Sequence, residues 1–197
     1  MQNFINSLKK VSVIIAMILF FVVSGFYLVL DAGGFGGEFF PVISSLILMV
    51  FHVCLFILPG LLLLLKKKEG YKFVYLAVAA YVVISQLTRN IGTADGIVKN
   101  QDALYVIAAL VSFILGLGIL GVVALILLGK LTGRETFVSL AQLISVLLLA
   151  LYFLAFIFWI VLAIHFDATW TSYFDFLLSY LLLPAAIVFG WFALEEE

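Results

Sequence analysis

The sequence predicts an all-α integral membrane protein: a compact bundle of six transmembrane helices, residues 1–197 forming one transmembrane domain, with both termini in the cytoplasm. Three observations carry this reading. The apolar residues arrive in uninterrupted runs, the runs are nearly free of charge, and the basic residues gather between alternate runs. The chain is 66% hydrophobic and 11% charged, with a mean hydropathy of +1.34, whereas a soluble globular domain carries about a quarter charged residues. A hydrocarbon layer roughly 30 Å thick is crossed by about 20 helical residues at about 1.5 Å each. Outer-membrane barrels alternate apolar and polar positions, and these runs are apolar on every side, so strands are excluded as the spanning element.

The first run, residues 11–30, follows Lys9 and Lys10 and continues past Val23, Ser24 and Gly25 through Phe26 to Leu30. That length fits a retained signal anchor better than a cleaved signal peptide. The other runs are residues 42–65, 71–87, 103–128, 137–164 and 176–194. Backbone groups in lipid must be satisfied within the segment, so each is read as a helix. The third is barely long enough to span, and the fifth is long enough to require tilt.

Orientation follows from Lys and Arg, which are retained on the cytoplasmic side. Lys9, Lys10, Lys66, Lys67, Lys68, Lys72, Lys130 and Arg134 all fall on one side of the predicted bundle. Only Arg89 and Lys99 fall on the other, together with Asp31, Glu38, Asp95, Asp102, Asp167 and Asp175. Both ends are therefore expected inside, including the tail Glu195, Glu196 and Glu197. The expected location is a bacterial plasma membrane. The longest outer connections are expected at residues 88–102 and 165–175, and the first outer loop holds Gly33, Gly34, Gly36 and Gly37 without the Lys of a phosphate-binding loop.

A net charge of −1 argues against nucleic acid as a partner. Cys54 is the one cysteine, so neither an internal disulfide nor a thiolate metal cluster is available. No Asp, Glu, Lys or Arg lies in the interior of an assigned run, which argues against a carboxylate relay of the kind ion-coupled carriers use. No cofactor, metal site or catalytic constellation is expected, and the chain is read as a non-enzyme.

What remains are polar residues at helical spacing. Ser45, His52 and Pro59 recur every seven residues and share one face of the second helix. His52 is expected neutral and hydrogen-bonded to a neighbouring helix, or else a ligand-binding or proton-handling group; a lone buried histidine does not separate these. In the fourth helix Ala108, Ser112 and Gly116 line one face, and Gly118, Gly121 and Ala124 line roughly the opposite one. Small residues let helix backbones approach in lipid, either within the chain or against a second membrane protein. The outer halves of the third and fifth helices carry Tyr81, Ser85, Gln86, Arg89, Tyr152 and Trp159, with Ser145 seven residues before Tyr152 and Gln142 one turn before that. These residues, with His52, are the candidate lining of an outward-opening cavity for a small, uncharged solute. Trp170, Tyr173 and Trp191 fit interfacial anchoring.

About 200 residues, six helices, cytoplasmic termini and an outer vestibule give a layout that resembles the substrate-binding S-components of energy-coupling-factor importers. That family carries an Ala-x-x-x-Ala pattern in its first helix, where residues 11–30 hold only Ala16, so its binding residues are not carried over. Two functions follow from the residues: a small-solute binding or transport subunit, and a non-enzymatic accessory or immunity-type subunit of a membrane complex. A lipid-modifying enzyme is disfavoured because the outer Asp residues are dispersed; His165 beside Asp167 reads as an interfacial cap.

Overall fold

A computed structural model describes residues 2–32, 39–99 and 102–194, and among these the regular structure is entirely helical. The order is α1 (Gln2–Ala32), α2 (Phe39–Leu64), α3 (Lys68–Lys99), α4 (Ala103–Thr132), α5 (Glu135–His165), α6 (Trp170–Leu177), a π-helical turn (Leu178–Leu182) and α7 (Leu183–Leu194). Six spans are long and apolar enough to cross a membrane: Val11–Ala32, Val42–Leu64, Lys68–Arg89, Ala103–Gly129, Glu135–His165 and Trp170–Leu194. The glycine-rich loop around Gly36 lies outside the described residues.

The helices outrun their apolar runs. α3 continues to Lys99, so most of the expected connection 88–102 is helical, and α6 begins at Trp170 inside the expected connection 165–175. The apolar run marks where lipid is, and a polar segment beyond it keeps its intrahelical hydrogen bonds in water just as well. α1 likewise runs two residues past Leu30 and takes Asp31 into the helix.

The chain forms two compact units, Met1–Tyr81 with Trp170–Glu197, and Val82–Thr169. In the first, α1 lies along α2, with Ser12, Ala16, Phe20, Val23 and Ser24 buried in one stripe of α1 and His52, Phe56, Pro59 and Gly60 facing inward on α2. The Ser24 hydroxyl donates to the Val53 carbonyl at 3.3 Å. α2 ends with Lys66 in the left-handed region (φ 53°). There Lys66 N–H reaches Leu63 O at 3.1 Å and Lys67 N–H reaches Leu62 O at 2.9 Å, the two bonds of a Schellman turn. This short connection fixes the register of α2 on α3.

α7 closes the unit. The Tyr71 hydroxyl donates to Gly190 O at 2.9 Å and the Tyr75 hydroxyl to Ile187 O at 2.8 Å, so two buried phenols of α3 are satisfied by carbonyls of α7. The π turn has a local cause. Pro184 has no N–H for the Tyr180 carbonyl and its ring crowds that oxygen. Leu183 N–H instead bonds Leu178 O, five residues back, which widens the turn just before the proline.

The second unit is an antiparallel hairpin of α4 and α5 with the end of α3. Gly133 caps α4 at φ 65°, its N–H on Gly129 O. Ala108, Ser112 and Gly116 are buried, while Gly121 and Ala124 are exposed. A Cβ on Gly118 would stand 2.5 Å from Leu148 Cδ2, whereas one on Gly121 would meet nothing within 4 Å. The two small-residue faces of α4 therefore differ, and the Gly121 face is open. Gly118→Leu is expected to cost about 1–3 kcal/mol by overpacking α5, while Gly121→Leu is neutral or gains up to about 1 kcal/mol from helix propensity. Thermal unfolding in detergent checks the contrast; equal losses at both positions would remove it.

Candidate functional site

The most polar constellation described inside the spanning helices is built from α1, α2 and α3 of the first unit. Asp31 sits in the last turn of α1, where the negative end of the helix dipole disfavours a carboxylate unless a partner offsets it. That partner is His52: its Nδ1 lies 2.8 Å from Asp31 Oδ2, with the two side chains 11% and 17% exposed. The other ring nitrogen, Nε2, lies 2.6 Å from the Tyr81 hydroxyl. The imidazole thus bridges a carboxylate and a phenol. Because the α2–α3 connection is short, His52, twelve residues before the end of α2, and Tyr81, thirteen after the start of α3, stand at about one level.

An aromatic wall surrounds the bridge. Tyr27 stacks on the His52 ring with centroids 4.2 Å apart, and Phe51 tilts toward it at 5.5 Å. Phe56 stacks beneath Tyr27 at 5.1 Å and meets Tyr81 edge-on at 6.1 Å. These rings fix the imidazole plane and lower the local dielectric, which strengthens both of its hydrogen bonds. At about 1.5 Å per residue, the thirteen residues between Leu65 and His52 put the site roughly 20 Å from the Lys66 end, about two-thirds of the way across a bilayer.

Two protonation states fit the geometry. A neutral imidazole donates Nδ1–H to Asp31 and accepts the Tyr81 hydroxyl proton at Nε2; an imidazolium donates at both nitrogens, and Tyr81 oxygen becomes an acceptor. The described residues contain no cluster of three His, Cys, Asp or Glu side chains that could hold a metal ion.

The sequence-predicted site residues are divided between the units. His52 and Tyr81 are brought into direct contact. In the second unit Gln86, Tyr152 and Trp159 are buried, and Ser85 and Arg89 are half-buried. Trp159 Nε1 donates to Ser112 Oγ at 2.9 Å, and the Ser112 hydroxyl donates to Ala108 O at 2.9 Å. The Tyr105 ring meets Trp159 edge-on at 5.8 Å. Trp159 and Ser112 thus clasp α4 to α5. Ser145 is satisfied by Gln142 O at 2.7 Å.

His165 pairs with Asp102 at 3.7 Å and not with its neighbour Asp167, which takes φ 48° at the end of α5. Asp102 also caps α4, accepting from Tyr105 N–H at 3.0 Å. Sequence reasoning missed Asp31, because Ala32 and the glycines after it read as the start of a loop. The available signal was its position directly after an apolar run, seven residues beyond Ser24 on the same helix face.

No protein-family model, no curated protein and no solved structure matches the chain. The fold defines its class: six apolar helices of spanning length mark a multi-pass membrane protein whose surroundings are a lipid bilayer.

Proposed function

We propose that this protein is a small-solute binding or transport subunit of a bacterial plasma membrane, with its site at Asp31, His52 and Tyr81 and its mouth on the outer face. The observation that carries this reading is the buried bridge from Asp31 through His52 to Tyr81. Ionisable groups within spanning helices are costly and mark solute or proton pathways. The carboxylate already has a basic partner, so the site suits a solute without net charge. Asp31 leads into the outer glycine-rich segment, and His52 lies nearer that surface than the Lys66 surface.

Binding is tested in nanodiscs with a thermal-shift panel of neutral sugars, nucleosides and heteroaromatic amides. At least one should stabilise the wild type saturably and lose about tenfold or more in affinity in Tyr81→Phe, as expected for a lost hydrogen bond of about 1.4 kcal/mol. A ligand held equally well by Tyr81→Phe and His52→Ala places the site elsewhere.

The orientation is tested in a Cys54→Ser background. Cysteines at Gly36 or Ala94 should react with an impermeant thiol reagent from outside, and one at Gly133 should not. The reverse pattern would invert the topology.

A second reading has its own observation: Gly121 and Ala124 form an open small-residue face on α4, between the exposed side chains of Leu117, Leu120 and Leu127. Such a face suits a second membrane helix and an accessory role. Because Gly121→Leu leaves the fold intact on this account, loss of a co-purifying membrane protein in that variant, with no saturable solute, would put the accessory reading ahead.

A further inference from the structure

We infer that Asp31, His52 and Tyr81 form a proton-binding site that sets the hydrogen-bonding polarity of the Tyr81 hydroxyl, so that the solute binds in step with one proton. This rests on the solute-binding reading for its second half; the proton site itself stands independently of it.

A neutral His52 has one N–H, and at Nδ1 it is committed to Asp31, 2.8 Å away. Nε2 is then an acceptor, and the phenol 2.6 Å away must spend its own hydrogen on it. When a proton from water binds at Nε2, the imidazolium donates to Asp31 and to the Tyr81 oxygen together. The Tyr81 hydrogen is released from the ring and turns toward whatever acceptor stands beyond. No bond other than O–H and N–H is made or broken, and no electrons are transferred. One proton thus converts Tyr81 from a donor spent on His52 into a donor offered to a solute carbonyl, ether or ring nitrogen.

The surroundings favour this exchange. The groups facing His52 are Asp31 and Tyr27 from α1, Phe51 and Phe56 on its own helix, and Tyr81 from α3. The imidazole meets a carboxylate on one edge, a phenol oxygen on the other and the face of Tyr27. Histidine is the side chain that changes charge within the range a cell exterior explores.

Linkage fixes the sign. The protonated site offers a hydrogen to the solute and the neutral site does not, so solute binding is tighter at low pH, and bound solute raises the proton affinity of His52 by the same factor.

The experiment uses the full chain with ring-15N histidine in nanodiscs and a His165→Asn change, which leaves His52 as the one histidine. Nitrogen shifts are followed between about pH 5 and 8. The expected result is one imidazole that changes protonation state across this range, with a profile that is altered in the isosteric Asp31→Asn variant and persists in Tyr81→Phe. A ring that stays in one protonation state throughout, or an Asp31→Asn variant that titrates like the parent, would overturn the proton site. In the second arm, a stabilising solute from the neutral panel should bind several-fold more tightly at the acid end in wild type and with no pH dependence in Tyr81→Phe. A flat profile in wild type would overturn the coupling while leaving solute binding intact. Absence of any saturable solute would remove the solute-binding reading, and with it the coupling, while the nitrogen titration still decides the proton site.

Discussion

Replacing Asp31 with alanine is expected to lower the stability of the folded protein by about 2–4 kcal/mol, and replacing His52 with alanine by a similar amount. Each single change strands the other group in a site where its side chain is at most 17% exposed, with Nδ1 of the ring or Oδ2 of the carboxylate losing a bond of 2.8 Å. Removing both relieves the stranded group, so the double variant should lose clearly less than the two singles together, the mark of direct coupling. His52→Ala also removes the bond to Tyr81 and the stacking on Tyr27, so it should be the more costly single change. Unfolding in graded denaturing detergent gives all four corners of the cycle. Strict additivity would show that the pair does not interact energetically.

Gly190→Val is expected to be as damaging, about 2–4 kcal/mol, through steric conflict rather than lost polarity. A Cβ at Gly190 would lie 2.6 Å from Tyr75 Cε2 and 3.1 Å from Phe20 Cζ, and both rings are buried. The Tyr75 ring cannot swing aside without surrendering its 2.8 Å bond to Ile187 O, and Phe20 is held against the stripe of α1. Tyr75→Phe provides the control: it frees the ring from that bond at a cost of about 1 kcal/mol. In the Tyr75→Phe background the penalty of Gly190→Val should therefore shrink. A Gly190→Val variant within about 0.5 kcal/mol of wild type would mean that α7 does not pack on α3 as closely as described.

The spanning helices were legible because their signal is one-dimensional: an apolar run of sufficient length can only be helical in lipid. Their true ends were not, since residues 88–99 are polar yet helical, and hydropathy reports the solvent around a helix more than the helix itself. The site was half legible. His52 and Tyr81 stood out as polar side chains on apolar helices, and their pairing follows from the turn at Lys66. The corresponding signal in the second unit is plain once the turn at Gly133 is known: Gly129 faces Val138, Gly118 faces Leu148 and Asp102 faces His165, each pair centred close to that turn.

Asp31 was hidden for two reasons. The residues after it look like a loop, and its register against α2 depends on a connection whose composition sets no fixed length of turn. α1 extends past residues 11–30 and carries Asp31 in its last turn, within reach of a histidine that looked solitary. The partner of Trp159 was not legible either: its indole N–H donates to Ser112 on α4, which the spacing along the fifth helix does not indicate.

The most direct test of the central claim, that the site at Asp31, His52 and Tyr81 opens to water on the face away from Lys66, is labelling of a Tyr81→Cys variant in a Cys54→Ser background. Sealed vesicles with the Lys66 face inside are treated with a small charged methanethiosulfonate, which reacts with thiols in water and hardly at all in lipid. Rapid modification from outside is expected. A folded protein that is modified only when reagent is supplied from the Lys66 side, or not at all from either side, would contradict it.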